Sequence, residues 1–263
     1  EWLVSTRMLI SGVLLLGIAF IREGRGVLNV FRRREDCIEL LTFAILGMLG
    51  VQYTYFTAIK HSNAATATIL QYLGPVIIAA VYAVRERRIP VFHEILALLF
   101  AVIGTFLLVS HGRLDSLSIS REGLFWGLAS AVCLAIYTVQ PEALLKRQSS
   151  ATVIGWAMVI GGVAISFVFP PWRFMGVWDA SAFAATAFIV VLGTFIPFFA
   201  YLNAVKIVGA RTSSLLACAE PLSAALCAVL WLKVSLVAQD WMGALLIVLT
   251  MLLLTALNKS SSS

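Results

Sequence analysis

Nine long apolar runs leave this chain few ways to fold. They are Val4–Ile21, Ile38–Ile59, Ala64–Val84, Glu94–Ser110, Gly123–Gln140, Thr152–Phe169, Ala182–Val205, Thr212–Trp231 and Trp241–Leu257, each of 17 to 24 residues. At about 1.5 Å per residue, such lengths cross about 30 Å of hydrocarbon. Backbone amides and carbonyls in lipid need partners inside the protein, which a helix supplies by itself. The expected fold is all-α, a polytopic transmembrane helix bundle. Composition agrees: 61% of the 263 residues are hydrophobic and 12% are charged, against about a quarter charged in soluble domains. That balance excludes a disordered chain, a collagen, a disulfide scaffold and a nucleic-acid-binding domain. The longest connections, Arg22–Asp36, His111–Glu122 and Pro170–Ser181, are too short for an extramembrane domain. Pro170 and Pro171 stop one helix, and Trp172 and Trp178 are expected interface anchors.

The net charge of +6 reflects where the basic residues sit. With a cytoplasmic C-terminus, 13 of the 19 Lys and Arg fall in cytoplasmic connections and 6 on the other side. The cytoplasmic set includes Arg22, Arg25, Arg32, Arg33, Arg34, Arg85, Arg87, Arg88, Lys146, Arg147, Lys206, Arg211 and Lys259. Positive-inside bias selects that topology, and it accounts for Arg32-Arg33-Arg34 better than anionic-lipid binding does.

The chain also repeats itself. Shifted by 146 positions, residues 46–108 lie on residues 192–254 without a gap, with 15 identities in 63 columns. The telling matches are Gly47/Gly193, Tyr55/Tyr201, Lys60/Lys206, Thr66/Thr212 and Pro75/Pro221. The expected division is a first repeat over 1–114 with four helices and a second over 115–263 with five. A further helix before Glu1 is expected in a ten-helix parent. Repeats with five helices each insert with opposite sense, the architecture of many secondary transporters.

Pro75 and Pro221 stand at matching mid-run positions, where each removes a backbone donor and disturbs the carbonyl four residues earlier, at Gln71 and Ala217. The symmetric pair reads as a hinge. Glu220, just before Pro221, is a carboxylate deep in an apolar run, at a cost of ~2.5–3.5 kcal/mol on insertion scales. It reads as a proton-coupling group, as a partner for an ammonium-bearing substrate, or as an interhelical hydrogen bond. Gln71, Tyr72, Gln52, Tyr53, Tyr137, Gln140, Tyr201 and Asn203 are the further cavity-lining candidates, since binding pockets combine aromatic walls with a few placed polar groups. Tyr55 belongs to the same polar set. Arg7 is expected at the outer interface rather than on Glu220. Gly123 and Gly127 form a GxxxG read as packing inside the bundle.

No nucleophile–base pair, nucleotide loop or paired carboxylate is legible, so no enzyme and no cofactor is expected. His61, His93 and His111 lack metal-ligand spacing, Cys37, Cys133, Cys218 and Cys227 form no CxxC, and no metal is expected.

The stretch from Ala58 through Lys60, Asn63, Thr66, Gln71 and Tyr72 to Pro75, followed by Arg85–Arg88, resembles the EamA family of the drug/metabolite transporter superfamily. The second half repeats it from Ala204-Val-Lys206 and Ala210 through Glu220-Pro221. Arg7 is similar to an Arg in the family's second helix. The resemblance implies ten helices in two inverted five-helix repeats, both termini cytoplasmic, and a central cavity. An acidic residue after the second-half kink is replaced within Trp231-Leu-Lys-Val-Ser235, while Glu86 keeps the pattern. The resemblance further implies a secondary transporter of a small organic solute, an amino acid or other metabolite, most simply an inner-membrane exporter working by alternating access. The expected partners are a small-molecule substrate and the lipid bilayer, with no nucleic acid. A non-transporting membrane scaffold or assembly subunit is the alternative.

Overall fold

The computed structural model describes residues 2–87, 91–114, 117, 120–173, 179–233 and 237–260. Among them every element is helical, and all nine apolar runs fall on helices. The chain is an all-α polytopic bundle. Among the described residues, six stretches, from Trp2–Phe31 to Ala180–Val208, are long and apolar enough to cross a membrane, and Ser150–Ser166 and Ala238–Thr250 are shorter apolar helices.

The first run is α1 (Trp2–Glu23), and a 3-10 segment, Gly24–Phe31, follows it. The second joins α2 (Arg34–Thr42) to α3 (Gly50–His61) through a π-helical segment, Phe43–Leu49. The third is broken into α4 (Ala64–Gln71) and α5 (Gly74–Glu86). Then come α6 (Phe92–Ser110), α7 (Arg121–Val139), the short α8 (Glu142–Arg147) and α9 (Ser150–Ser166). The seventh run joins α10 (Ala180–Val190) to α11 (Ile196–Val208) through a second π segment, Val191–Phe195. The eighth is broken into α12 (Ala210–Leu216) and α13 (Ala219–Leu232), and α14 (Ala238–Ser260) ends the bundle. Side-chain oxygens start several helices: Asn63 accepts the Thr66 N–H, Ser149 that of Thr152 and Asp179 that of Ala182, as N-caps do. Trp172 is exposed, consistent with an interfacial place. Trp178 and Arg88 lie outside the described residues.

Two compact units form, one from residues 1–52 and 136–209, the other from 53–135 and 210–263. Each draws helices from both halves of the sequence.

Unit one is built on α1 and α9, which run antiparallel. Ser5 Oγ donates to the Phe169 carbonyl (2.7 Å) at one end, and Thr152 Oγ1 donates to Glu23 Oε2 (3.2 Å) at the other. Between them the helices approach on glycines. A Cβ on Gly12 would stand 2.9 Å from the Val159 nitrogen, one on Gly155 2.9 Å from Leu16, and one on Gly162 2.9 Å from Leu9. Leu9 and Gly155, and Leu16 and Gly162, are mates at the 146-residue offset, so the last two contacts exchange into each other.

Unit two is built the same way on α6 and α14. Cβ atoms on Gly104 and Gly243 would come within 2.9 and 2.8 Å of each other's carbonyl oxygen. The offset carries that contact onto Thr250 and Ala97, where Thr250 Oγ1 donates to the Ala97 carbonyl at 3.4 Å. His111, after the end of α6, meets Asp240 near the start of α14 (Nδ1–Oδ1 2.8 Å), so this pair is antiparallel too.

Candidate functional site

The two symmetric prolines do not kink continuous helices. Both runs are broken, with turns at Tyr72–Leu73 and Ala217–Cys218. Pro75 sits at the N-terminal end of α5 and Pro221 in the first turn of α13, where a helix has no use for the missing N–H. The bend expected at mid-helix is thus a full interruption. Without a Pro221 N–H, the Ala217 carbonyl accepts from the Glu220 N–H instead (2.9 Å), and the Tyr72 hydroxyl lies 3.5 Å from it.

Both breaks belong to unit two, and one side-chain bond ties them together. Tyr72 Oη donates to Glu220 Oε2 at 3.1 Å. The phenol ring packs on a small buried cluster of Ala101, Leu215 and Cys218, with Leu98 beside it. Glu220 itself is exposed. One residue before Tyr72, Gln71 donates from Nε2 to Ser130 Oγ on α7 (2.7 Å). Tyr55 and Thr68 share a hydrogen bond of 2.8 Å, and the Tyr53 ring meets Trp126 edge-on, centroids 5.7 Å apart. Gly123 and Gly127 of α7 lie against Ser62 and Leu70, so the GxxxG serves packing within this unit.

The other candidates belong to unit one. Tyr137 is 4% exposed and stacks between Phe43 (5.7 Å) and Tyr201 (5.7 Å), with Phe198 edge-on at 5.8 Å. Tyr201 Oη shares a 2.9 Å bond with Thr138. Gln140 Nε2 donates to the Glu39 carbonyl (2.9 Å), and Asn203 Oδ1 accepts from Ser150 Oγ (3.2 Å). Gln52, just past the first π segment, is 5% exposed, and its Nε2 has no hydrogen-bond partner. Leaving an amide donor unmet in an apolar interior costs roughly 1–3 kcal/mol. Arg7, expected at the outer interface, turns inward and donates to Thr194 in the second π segment (3.5 Å).

The candidates therefore form two groups. Glu220, Tyr72, Gln71 and Tyr53 lie in one unit, and Gln52, Tyr137, Gln140, Tyr201 and Asn203 in the other. Sequence reasoning missed Ser130, Thr138 and Thr194, because a hydroxyl in an apolar helix gives no signal until its partner is known. It also missed the π segments. They fall at corresponding places under the 146-residue offset, and that coincidence is the one signal that could have found them. Among the described residues, no three His, Cys, Asp or Glu gather as a metal site.

The comparisons with known proteins agree on one class. A model described as the EamA-like transporter family matches residues 1–110 and 121–256. The uncharacterized inner membrane transporter YicL of Salmonella typhimurium is 39% identical, over 97% of this chain and 85% of its own length. The uncharacterized transporter YwfM of Bacillus subtilis is 25% identical, over 95% and 82%. The threonine/homoserine exporter RhtA of Escherichia coli K12 is 24% identical, over 87% and 73%. A solved crystal structure superposes on the whole chain and 89% of its own, with a TM-score of 0.79 at 21% identity, a likeness of fold.

Proposed function

The chain belongs to the EamA-like transporter family and is a multi-pass membrane transporter, and from that premise we propose that it exports a small amino acid or related metabolite by alternating access. The proposed machine is a pair of inverted repeats whose conformations exchange. What supports inversion is that two sets of repeat mates, α1 with α9 and α6 with α14, pack antiparallel through contacts that map onto each other. Helices related by the offset yet opposed in direction are what an in-plane pseudo-two-fold axis generates.

The single observation that carries the reading is Glu220 beside the two helix breaks, held by Tyr72 at 3.1 Å. An accessible carboxylate in an apolar span belongs on a watered face rather than against lipid. There it binds a proton or a substrate ammonium. Tyr72 holds it, with Gln71 one residue before and Tyr53 in the same unit, and Pro75 and Pro221 start the half-helices that move. In unit one, Tyr137, Tyr201, Gln52, Gln140 and Asn203 are a separate set of proposed binding residues. Because RhtA is named for threonine and homoserine, the amino-acid class is the first to test. The proposed setting is a bacterial inner membrane with the C-terminus cytoplasmic, as the distribution of Lys and Arg favours.

The test is flux in proteoliposomes, using labelled threonine and homoserine within a broad metabolite panel. Saturable uptake or counterflow is expected for the wild type, and a drop of ten-fold or more for Glu220→Gln, on the order of a lost charged partner. Equal flux at every pH in the variant would remove Glu220 from the mechanism.

A further inference from the structure

The basic side chains at the ends of these helices fall into two kinds. Arg147 is neutralised within the protein, 2.9 Å from Asp36 and 2.7 Å from Glu39. Arg211 likewise meets Glu94 at 2.8 Å and Glu86 at 3.2 Å, and lies 5.1 Å from the Tyr82 ring centre. Arg22, Arg25, Arg32, Arg33 and Arg34 are different. All five are exposed, and none has an acidic partner among the described residues. Of the acids beside them, Asp36 is engaged elsewhere. Glu23 accepts from Thr152, and Asp36 is 1% exposed with both oxygens taken, by Arg147 (2.9 Å) and Gln148 (3.0 Å). The exposed Glu23 and Glu35 of this stretch are left to offset five arginines.

The charges of Arg32, Arg33 and Arg34 do not favour the helix they begin. Arg32, Arg33 and Arg34 crowd the N-terminal end of α2, where the helix dipole favours anions and where Glu35 and Asp36 already stand. Positive-inside bias accounts for the side of the membrane they occupy, and the anionic leaflet on that side is the counterpart their exposed guanidinium groups can reach.

The segment carrying them is held firmly. Trp156 Nε1 donates to the Val27 carbonyl (3.0 Å), and Phe31 packs edge-on against Trp156 with ring centres 4.9 Å apart. Val27 and Val30 are buried, whereas Leu28 and Phe31 are 53% and 40% exposed. A fixed 3-10 turn at the end of the first span, with apolar side chains and arginines both open, has the chemistry of the headgroup boundary. Guanidinium groups there meet phosphodiesters with paired hydrogen bonds.

We propose that Gly24–Phe31 with its five flanking and internal arginines is a docking surface for anionic phospholipid headgroups of the adjoining leaflet. The partner is the bilayer phosphodiester, with Leu28 and Phe31 in the acyl boundary and the arginines on the phosphates.

The test uses the full chain in neutral detergent, titrated with phosphatidylglycerol or phosphatidylcholine and followed by thermal unfolding, since a ligand of the folded state raises its midpoint. Phosphatidylglycerol is expected to stabilise more than phosphatidylcholine, and high salt to erase the difference. Changing Arg32, Arg33 and Arg34 together to Gln should weaken the phosphatidylglycerol response about 100-fold in concentration and leave the phosphatidylcholine response alone. Changing the same three to Lys should retain most of it. Equal responses to the two lipids, a salt-insensitive difference, full retention in the Gln variant, or the same stabilisation by dissolved glycerol phosphate would each overturn the proposal. The salt arm needs only wild-type protein, so the outcome does not depend on the variant folding.

Discussion

The two units solve the same structural problem in different ways. Each rests on an antiparallel pair of repeat mates with glycines in the seam, and each contains a second mated pair whose backbone departs from α-helix. In unit one the departures are π segments, Phe43–Leu49 and Val191–Phe195, within otherwise continuous helices. A π turn keeps its amides paired along the chain, and such turns mark functional stretches. In unit two the departures are complete breaks at Tyr72–Leu73 and Ala217–Cys218. At the second break the Ala217 carbonyl pairs with the Glu220 N–H and lies 3.5 Å from the Tyr72 hydroxyl. The ionisable group deep in an apolar run, Glu220, is found in the broken unit, while the stacked rings of Phe43, Tyr137 and Tyr201 fill the continuous one.

The sharpest way to break this contrast is to compare Glu220→Gln with Tyr201→Phe in the same flux assay. The first should cost ten-fold or more, whereas the second removes one neutral hydrogen bond to Thr138, worth about 1 kcal/mol, and should leave flux within a few-fold. Equal losses would mean that the two units share the chemistry.

Next in size are the seams. Gly12→Ala in unit one and Gly104→Ala in unit two each drive a methyl group to within 2.9 Å of opposing backbone. Each should cost about 1–3 kcal/mol, the usual penalty of overpacking, read as a lower unfolding midpoint in detergent. Gly17, with nothing within 4 Å of an added Cβ, is the control. Gly17→Ala should be neutral or stabilise by up to ~1 kcal/mol, because alanine is the better helix former. A penalty in one unit alone would show that the seams are not equivalent.

The smallest expected effect is at the start of α10. Asp179 accepts the Ala182 N–H at 2.7 Å and the Ser181 hydroxyl at 2.8 Å, which hold its carboxyl below the ordinary 3.8. A folded value below the unfolded one stabilises above the unfolded value, and the gain fades as pH falls through the lowered one. Asp179→Asn should therefore narrow the stability difference between neutral pH and the region below pH 3.8, as read by unfolding midpoints across that range.

Much of the molecule is legible from the chain, for particular reasons. The nine helical apolar runs were legible because bilayer thickness sets helix length. The helix interruptions were half legible: Pro75 and Pro221 marked the places, but a kinked helix and a broken one carry the same proline. Glu220 and Tyr72 each stood out, yet their bond spans 148 positions, and spacing says nothing about it. Gln71 pointed to no Ser130, and Arg7 to no Thr194, since in apolar helices any hydroxyl can serve and only packing selects which one does.

The amino-acid sequence alone determined an all-helical membrane chain, its doubling at 146 residues, and the asymmetric carboxylate in one copy. Those depend on length, periodicity and cost of burial, which are properties of each segment by itself. Tertiary structure alone decided that each unit draws helices from both halves, that repeat mates pack against each other in opposite directions, and that two distant helix breaks share one hydrogen bond. Helix-to-helix contacts in lipid arise from close fit between small residues and from paired polar groups, not from hydrophobicity common to every span, so partners emerge only when surfaces meet.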